Sequence, residues 1–330
     1  MIYNIIPLII VAVVIAVVVR AGREPLWAEA YRRLRRNPSA MVAICVMSVF
    51  CLVAVLDSIS WRSGRDVLPK TIIDRVFQRQ AEETYSAPLA TETTGEPHPH
   101  KLHGKHILGT DGIGNDVLYD VLKGCRTALI IGFLTQLIVT PVALLFGMLA
   151  GYFGKFVDDL IQYIYTVLDS IPYVLLLIVL LMVLGHGLWQ ICIALAVTGW
   201  VGLCRLVRGE TLKHRDRDYV RAARALGVGH GRILVKHIMP NLLPIIIITA
   251  TLGVSGNLLS ETILAYLQLS VPPDIGSWGN MIDSSRMELA RQPLIWWNLS
   301  AASVAVFLLI LCFNIFGDAL RDAVDPRLRS

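Results

Sequence analysis

Three acidic residues stand inside long apolar runs of this 330-residue chain: Asp57, Asp169 and Glu261. An ionised side chain at such depth is costly, and it usually faces a polar path or a neighbouring helix, where it can carry protons or line a route for a solute. Asp57 stands near the outer end of its run, where we expect it to reach water. Asp169, Glu261 and the nearby Asn257 are candidate translocation-path residues. A buried hydrogen bond to a neighbouring helix is the alternative for each.

Four histidines follow the pattern H-x-H-x-x-H-x-x-H in a polar stretch, at His98, His100, His103 and His106. Neutral imidazoles at this spacing can hold a divalent metal, whereas solvated histidines in a flexible loop have no such role. We favour solvated histidines and predict no metal site. The six cysteines have no C-x-x-C spacing and most lie in apolar runs, so they predict neither a disulfide framework nor a zinc site.

The sequence lacks the usual motifs of catalysis. It contains no G-x-x-x-x-G-K-[ST] loop for nucleotide phosphates, and neither H-E-x-x-H nor G-x-S-x-G occurs. We therefore expect no enzyme activity and no cofactor in this chain, and any ATP that drives it must bind another polypeptide. A hydrophobic fraction of 55% with only 17% charged residues also excludes a disordered chain and a nucleic-acid-binding domain.

The elements that must position these side chains are transmembrane helices. Seven apolar runs come close to or exceed the roughly 20 residues that a helix needs to cross a bilayer. They cover residues 2–19, 39–60, 127–150, 160–184, 187–204, 243–268 and 293–316. A signal peptide carries its positive charge before the apolar stretch. Here Arg20 and Arg23 follow the first run, so we predict a retained span.

Lysine and arginine are distributed unequally between the segments that join these runs. Nineteen of the 30 lie on one side, and only two lie in short segments on the other side once the long stretch 61–126 is set aside. Long segments contribute little to the positive-inside rule. The rule therefore predicts a multi-pass membrane protein with a cytoplasmic C-terminus, a cytoplasmic loop at 205–242 and an external N-terminus.

The chain divides into five predicted segments. They are an extra N-terminal transmembrane helix at 1–20, a basic amphipathic interfacial segment at 21–38, a transmembrane helix at 39–60, an external loop at 61–126 and a transmembrane core at 127–330. The residues that share one face of the second segment are Leu26, Trp27, Ala30, Tyr31 and Leu34. This face suits either a helix on the inner membrane surface or a juxtamembrane linker. The external loop is expected to be irregular apart from a short helix near 70–83.

The cytoplasmic loop at 205–242 has a helical pattern. Asp218 can cap the first of two short helices, and Gly227 can end it. The residues that share one face of this helix are Tyr219, Ala222, Ala223 and Leu226. A second short helix ends at Pro240. Two such helices joined by a glycine turn can dock into a groove on a partner protein, and a hairpin that merely links two spans fits the same pattern.

This loop resembles the EAA loop of ABC importer permeases, whose pattern is E-A-A, three residues, G, and about a dozen residues later L-P. The stretches Y-V-R-A-A-R-A-L-G at 219–227 and H-I-M-P-N at 237–241 match it in register. Arg221 stands where glutamate is usual, and Met239 stands where leucine is usual. The resemblance implies that the loop binds an ATPase. The residues it assigns to ATPase coupling are Tyr219, Arg221, Ala222, Ala223, Gly227, His237 and Pro240.

Other stretches resemble the dipeptide and oligopeptide branch of this family. The stretch L-G-T-D-G-I-G-N-D-V at 108–117 is similar to the branch's L-G-T-D-x-x-G-R-D-V, with Asn115 in place of arginine. The stretches 277–281 and 314–327 are similar as well. The resemblance runs from about Tyr31 to the end of the chain, and the first apolar run lies outside it.

The resemblance implies an all-α integral membrane protein, with a six-helix ABC importer permease core and one extra N-terminal transmembrane helix. It also implies a peptide substrate, two cytoplasmic ATP-binding subunits, a second and usually non-identical permease, and an external solute-binding protein. Two other classes compete with it. One is a proton-coupled secondary transporter that uses Asp169 or Glu261, and the other is a membrane receptor whose cytoplasmic loop recruits a signalling protein.

Overall fold

The computed structural model describes residues 25–61, 69–77, 82–94 and 99–324. The predicted first span at 2–19 lies outside the described residues, as do the side chains of Leu26 and Trp27.

Helices make up almost all of the regular structure in the described part of the chain. The first elements are α1 Pro25–Arg36, α2 Pro38–Ser58, the antiparallel strands β1 Ser60–Trp61 and β2 Lys70–Thr71, and α3 Ile72–Val76. The central helices are α4 Val117–Phe153, α5 Lys155–Asp169, α6 Tyr173–Leu184 and α7 Leu188–Arg215. The last elements are α8 Asp218–Ala225, α9 His230–Ile233, a π-helix Leu234–Ile238, α10 Met239–Tyr266, α11 Trp278–Ser285, a 3₁₀ turn Glu288–Ala290 and α12 Trp297–Val324.

In the described part of the chain, five helical stretches are long and apolar enough to cross a membrane, namely α2, α4, α7, the continuous stretch His230–Tyr266, and α12. The helices α5 and α6 meet at an angle of 86° and, taken together as one span, give a sixth crossing. The sequence predicted a single span at 160–184, and this prediction was wrong about the bend. Pro172 lacks an N–H group and disfavours helical backbone at Ile171, so the helix ends and restarts there.

Two helices extend well beyond their apolar runs. α4 begins at Val117, inside the segment predicted to be an external loop, because the Asp116 side chain caps it by accepting from the backbone N–H groups of Leu118 and Tyr119. Likewise, α7 continues to Arg215 into the predicted cytoplasmic loop. The short helix predicted near 70–83 is α3, whereas β2 and the first turns of α4 were not expected in the loop 61–126. Hydropathy missed these turns because their residues are polar.

The inner halves of α4 and α7 pack with their backbones in close approach. A side chain at Gly147 would overlap the backbone oxygen of Cys204, and one at Gly151 would overlap the backbone oxygen of Arg208. The buried cluster around this contact also includes Val207 and residues from the end of the bundle. Small residues let the two helices interlock closely.

The amphipathic helix α1 packs on the end of α12. Ala30 and Leu34 are buried, and Leu34 contacts a small cluster with Ala40 and Ala319. Tyr31, which was predicted on the same face, is 62% exposed. Only part of the predicted apolar face is therefore used for packing within this chain.

Candidate functional site

The predicted loop at 205–242 forms a compact helical hairpin at one end of the bundle. We call residues 218–233, which comprise α8, the turn at Gly227 and α9, the α8–α9 hairpin. Gly227 has φ +75°, the left-handed conformation that favours glycine. The N–H of Val228 bonds to the Ala223 carbonyl at 3.0 Å, and the N–H of Gly227 bonds to the Arg224 carbonyl at 3.0 Å. These bonds form a Schellman C-cap, which fixes the angle between α8 and α9.

One side of α8 is anchored to the bundle and the other is exposed. Val220 is fully buried and Ala223 nearly so, and both join the cluster at the inner ends of α4, α7 and α10. Tyr219 and Ala222 are exposed, and Leu226 is 83% exposed. Of the four residues predicted to share a face, only Ala223 turns inward, so the exposed side of α8 is free to meet another molecule.

The start of α8 differs from the prediction. Asp218 is the first residue of the helix rather than its cap, and Arg217 occupies the N-cap position without a side-chain hydrogen bond. The carboxylate still favours the helix through the partial positive charge of its N-terminus. Tyr219 is held to the end of α7, because its hydroxyl lies 2.8 Å from His214 Nδ1.

The remaining residues assigned to coupling flank the hairpin. Arg221 is exposed on α8. His237 lies in the π-helix, and its carbonyl accepts from Asn241 Nδ2 at 2.6 Å. Pro240 is the second residue of α10, directly after the π-helix. The structure thus brings the seven predicted coupling residues together at one end of the bundle.

Asp169 forms an ion pair at the end of α5. Its Oδ2 accepts from Arg205 Nη2 at 2.7 Å, and both side chains are about half exposed. The Arg205 guanidinium also lies 4.8 Å from the centroid of the Tyr165 ring. These contacts connect the bend between α5 and α6 to α7.

Asn257 and Glu261 contact other segments of the same chain. Asn257 Nδ2 donates to the Gly132 carbonyl at 3.2 Å. Glu261 is buried, and its Oε1 accepts from the hydroxyls of Ser270 and Ser277 at 2.8 and 2.7 Å. Ser277 is in turn the N-cap of α11, so Glu261 fixes the segment that leads into α11. The path role of both residues stays a prediction.

Asp57 does not reach water, contrary to the prediction. Its side chain is fully buried, and its Oδ1 accepts from Lys123 Nζ at 2.7 Å and from the Thr71 hydroxyl at 2.9 Å. Arg126 Nε lies 3.3 Å from its other oxygen. The end of α2 is covered by β2, α3 and the polar first turns of α4, none of which hydropathy predicts.

Lys123 also binds a second carboxylate, that of Asp74 on α3, at 2.6 Å. Burial alone would raise the pKa of Asp74. The bonds from Lys123, the Thr71 backbone N–H and the Tyr119 hydroxyl outweigh burial, and together they lower the pKa of Asp74 from about 3.8 to about 2. Lys123 therefore clamps α3 and α2 onto the start of α4.

We expect the Asp74 carboxylate to stabilise the fold at neutral pH and to lose this contribution in acid. Its pKa is lower in the folded chain than the value of about 3.9 in an unfolded chain. The stabilisation is therefore complete above about pH 5 and declines as the pH falls through about 2. Thermal unfolding in detergent at pH 6, 4, 3 and 2 measures it. The midpoint of the wild type should exceed that of Asp74→Asn at pH 6, and the gap should close by pH 2. A gap that is constant with pH would contradict the assignment.

The prediction of solvated histidines was wrong for His106, whereas His100 and His103 are exposed. His106 is buried, with Nδ1 2.8 Å from Asp116 Oδ2 and Nε2 3.2 Å from Glu82 Oε1. Each ring nitrogen of His106 therefore has a carboxylate within hydrogen-bond distance. His103 Nδ1 lies 3.1 Å from the other oxygen of Glu82. His106 thus connects the cap of α4 to the segment that begins at Glu82.

His100 is exposed, and His98 lies outside the described residues. Within the described ranges, no group of three or more histidine, cysteine, aspartate or glutamate side chains is arranged to hold a metal ion. All six cysteines are free thiols, and four of them are buried.

Three residues that matter to this architecture were missed from the sequence. Val220 anchors the hairpin, and its only signal was its spacing of three from Ala223. Tyr152 contacts the hairpin from the end of α4, and Lys123 clamps the other end of that helix. No local pattern in the sequence pointed to Lys123 or Tyr152, because their partners lie more than 45 residues away in the chain.

A bundle of six crossings with an ordered helical hairpin at one end defines an integral membrane subunit of a transporter. Residues 143–330 match the family described as binding-protein-dependent transport system inner membrane component, and residues 25–68 match the N-terminal TM domain of oligopeptide transport permease C. The chain belongs to this family of inner membrane components. It is therefore a permease subunit of an ABC importer, and this assignment is favoured over the proton-coupled secondary transporter.

Curated relatives agree with this assignment. The chain is 31% identical over 304 residues to the oligopeptide transport system permease protein OppC of Bacillus subtilis, covering 92% of this chain and 90% of that protein. It is 32% identical over 301 residues to the dipeptide transport system permease protein DppC of the same organism, with 91% and 86% covered. OppC of Haemophilus influenzae is 30% identical over 308 residues, with 93% and 90% covered.

A solved structure shares the fold. The MetNI methionine ABC transporter, in inward-facing conformations, superposes with a TM-score of 0.52 at 18% identity, covering 63% of this chain and 98% of that chain. The all-α prediction and the six-helix permease core are confirmed. Permeases of this family work with ATP-binding subunits and a binding protein, so the chain is a transport subunit of the inner membrane.

Proposed function

We propose that this chain and a second, non-identical permease subunit together form the path of an ABC importer for di- and oligopeptides. The peptide substrate is supported by the names of relatives that are about 31% identical over most of the chain. The second permease is a separate chain in this proposal, because the resemblance implies that two permeases pair in the membrane. ATP hydrolysis takes place on other subunits, since this chain has no phosphate-binding loop.

The ATP-binding subunits dock on the α8–α9 hairpin, and the observation that carries this proposal is the exposed side of α8. Leu226 projects from the hairpin with 83% of its surface exposed, beside the small exposed residues Ala222 and Ala225. An apolar side chain flanked by alanines suits a groove on a partner protein. The buried residues Val220 and Ala223 hold this surface in place. Two such hairpins, one from each permease, account for two ATP-binding subunits.

We place the hairpin and the C-terminus in the cytoplasm and the N-terminus outside. The basic residues around the hairpin support this orientation. The polar lobe, which comprises residues 69–77, 82–94 and 99–116, then faces the binding protein.

A cavity of about 1610 Å³ beside this lobe is lined by carboxylates and by amines, including Asp111, Asp120 and Lys70. Both signs of charge suit a peptide with free termini, and Asp169, Asn257 and Glu261 remain proposed path residues further along.

Replacing Leu226 with aspartate should release the ATP-binding subunits from the membrane complex. A charge at the centre of an apolar contact must be desolvated, and loss of a central anchor costs about 2 kcal/mol or more, which is roughly thirtyfold in affinity. The measurement is the amount of ATP-binding subunit that co-purifies with the tagged chain, quantified by mass spectrometry after co-expression of the whole complex.

The control is Leu294→Asp, which places the same charge at an exposed leucine at the opposite end of the bundle. Both variants should insert into the membrane at wild-type levels, because neither side chain is part of the core. Full retention of the ATP-binding subunits by Leu226→Asp would overturn the docking assignment. If no ATP-binding subunit accompanies the wild type, the ABC importer function itself fails.

A further inference from the structure

The α8–α9 hairpin is joined covalently to α7 and, through the π-helix, to α10, and it also makes polar contacts with α4. The residue at their centre is Tyr152, in the last turn of α4, which is only 4% exposed. It belongs to the same buried cluster as Val220 and Ala223 of the hairpin. The residue is therefore part of the seat on which the hairpin rests.

Both helices of the hairpin contact the Tyr152 side chain, one from each side of the Gly227 turn. On α9, His230 Nδ1 lies 2.8 Å from the Tyr152 hydroxyl, and either atom can be the donor. On α8, the Arg224 guanidinium lies 5.6 Å from the centroid of the Tyr152 ring, within cation–π distance. The side chain of Tyr152 thus contacts both helices of the hairpin.

The neighbouring backbone makes a third contact with the same region. Arg215 Nη1, at the end of α7, donates to the Gly151 carbonyl at 3.3 Å. The end of α4 is therefore attached to the residues immediately before α8 as well as to α8 and α9. A displacement of the hairpin that kept these contacts would carry the end of α4 with it.

α4 continues from this contact to the opposite end of the bundle. Its 37 residues span about 55 Å at 1.5 Å per residue. Its first turns hold Lys123, which binds Asp57 and Asp74 in the cluster beside the polar lobe. Pro141 removes one backbone hydrogen bond, yet the helix is continuous through it. A single helix therefore contacts the hairpin at one end and the polar lobe at the other.

We propose that Tyr152 is a positioning residue that couples the α8–α9 hairpin to α4, so that movement of the ATP-binding subunits reaches the polar lobe through this helix. The proposal rests on the function proposed above. Without the Tyr152 contacts, the hairpin would keep only apolar packing against α4, besides its covalent connections to α7 and α10. A contact that couples two elements has a thermodynamic signature, because removing either partner has the same consequence as removing both.

The test uses the whole importer in proteoliposomes, with its second permease, ATP-binding subunits and binding protein, and with a tryptic digest of casein as the peptide source. The variants are Tyr152→Phe, His230→Ala and the double variant, and the readout is peptide transported per ATP hydrolysed. Tyr152→Phe removes only the hydroxyl and keeps the ring. We expect each single variant to lower this ratio about threefold to tenfold, as loss of one hydrogen bond allows, and the double variant to fall no further.

The matched control is Tyr163→Phe, because this tyrosine lies on α5 with 69% of its surface exposed. It should keep the wild-type ratio. His230 is exposed, so His230→Ala tests the contact even if Tyr152→Phe fails to assemble. Unchanged ratios, or losses that add in the double variant, would overturn the proposal, since additivity means that His230 and Tyr152 act separately. Co-purification of the ATP-binding subunits is measured on the same samples. If these subunits are present but the ratios are unchanged, only the role of Tyr152 fails; if they are absent from the wild type, the proposed function fails.

Discussion

Replacing Lys123 with methionine is expected to destabilise the chain by about 3–5 kcal/mol, as breaking a buried ion pair does when one charge is left behind. Lys123 Nζ lies 2.7 Å from Asp57 and 2.6 Å from Asp74. Methionine fills much of the same volume but provides no charge. The fully buried Asp57 carboxylate would then keep the hydrogen bond from the Thr71 hydroxyl and, as its charged partner, Arg126 at 3.3 Å. The thermal unfolding midpoint of the purified chain in detergent should fall by roughly 10 °C.

Two further variants make this expectation specific. Lys101→Met removes the same charge from an exposed lysine in the polar lobe and should leave the midpoint within about 2 °C of the wild type, since exposed charges contribute little. The double variant Lys123→Met/Asp57→Asn should recover part of the loss, because the unpaired buried charge is gone. Equal midpoints for Lys123→Met and Lys101→Met would show that the cluster does not hold α2, α3 and α4 together.

The Lys123 cluster also shows which part of the fold could be read from the sequence. Apolar runs placed all six described crossings, because the bilayer imposes a length and a composition on each helix. They could not place the polar first turns of α4, because Tyr119 and Lys123 are polar residues that contact Asp74 of α3. Nor could they show the 86° bend between α5 and α6, since Pro172 can kink a span or end it.

The α8–α9 hairpin was easier to predict from the sequence than the residues of α4 on which it packs. Gly227 and the alanines before it carry a local signal, because a left-handed turn and a slim helix restrict the residue types that fit. The seat depends on residues distant in sequence, such as Tyr152 and His230, which are 78 positions apart. Hydropathy patterns predict which side chains are buried, but they do not predict which buried side chains contact one another.

Replacing Gly151 with leucine is expected to have the second of the two largest effects, because it separates α4 from α7 at the point where the hairpin is attached. A Cβ atom at this position would lie 2.7 Å from the Arg208 carbonyl oxygen and 2.7 Å from Thr211 Cβ. Backbone cannot move aside as a flexible side chain does, so the helices must part. Overpacking of this kind costs about 3 kcal/mol or more, and unfolding in detergent measures it.

The functional consequence of Gly151→Leu should exceed its effect on stability alone. Parting the helices also breaks the bond from Arg215 to the Gly151 carbonyl and shifts Tyr152 away from His230. The hairpin would lose its seat, so the co-purified ATP-binding subunits should fall together with the unfolding midpoint. The control is Gly202→Leu on α7, where no atom lies within 4 Å of the added Cβ and a better helix former replaces glycine. If Gly151→Leu kept the ATP-binding subunits while Gly202→Leu lost them, the hairpin would be held by α7 alone, and the close approach of α4 would have no part in docking.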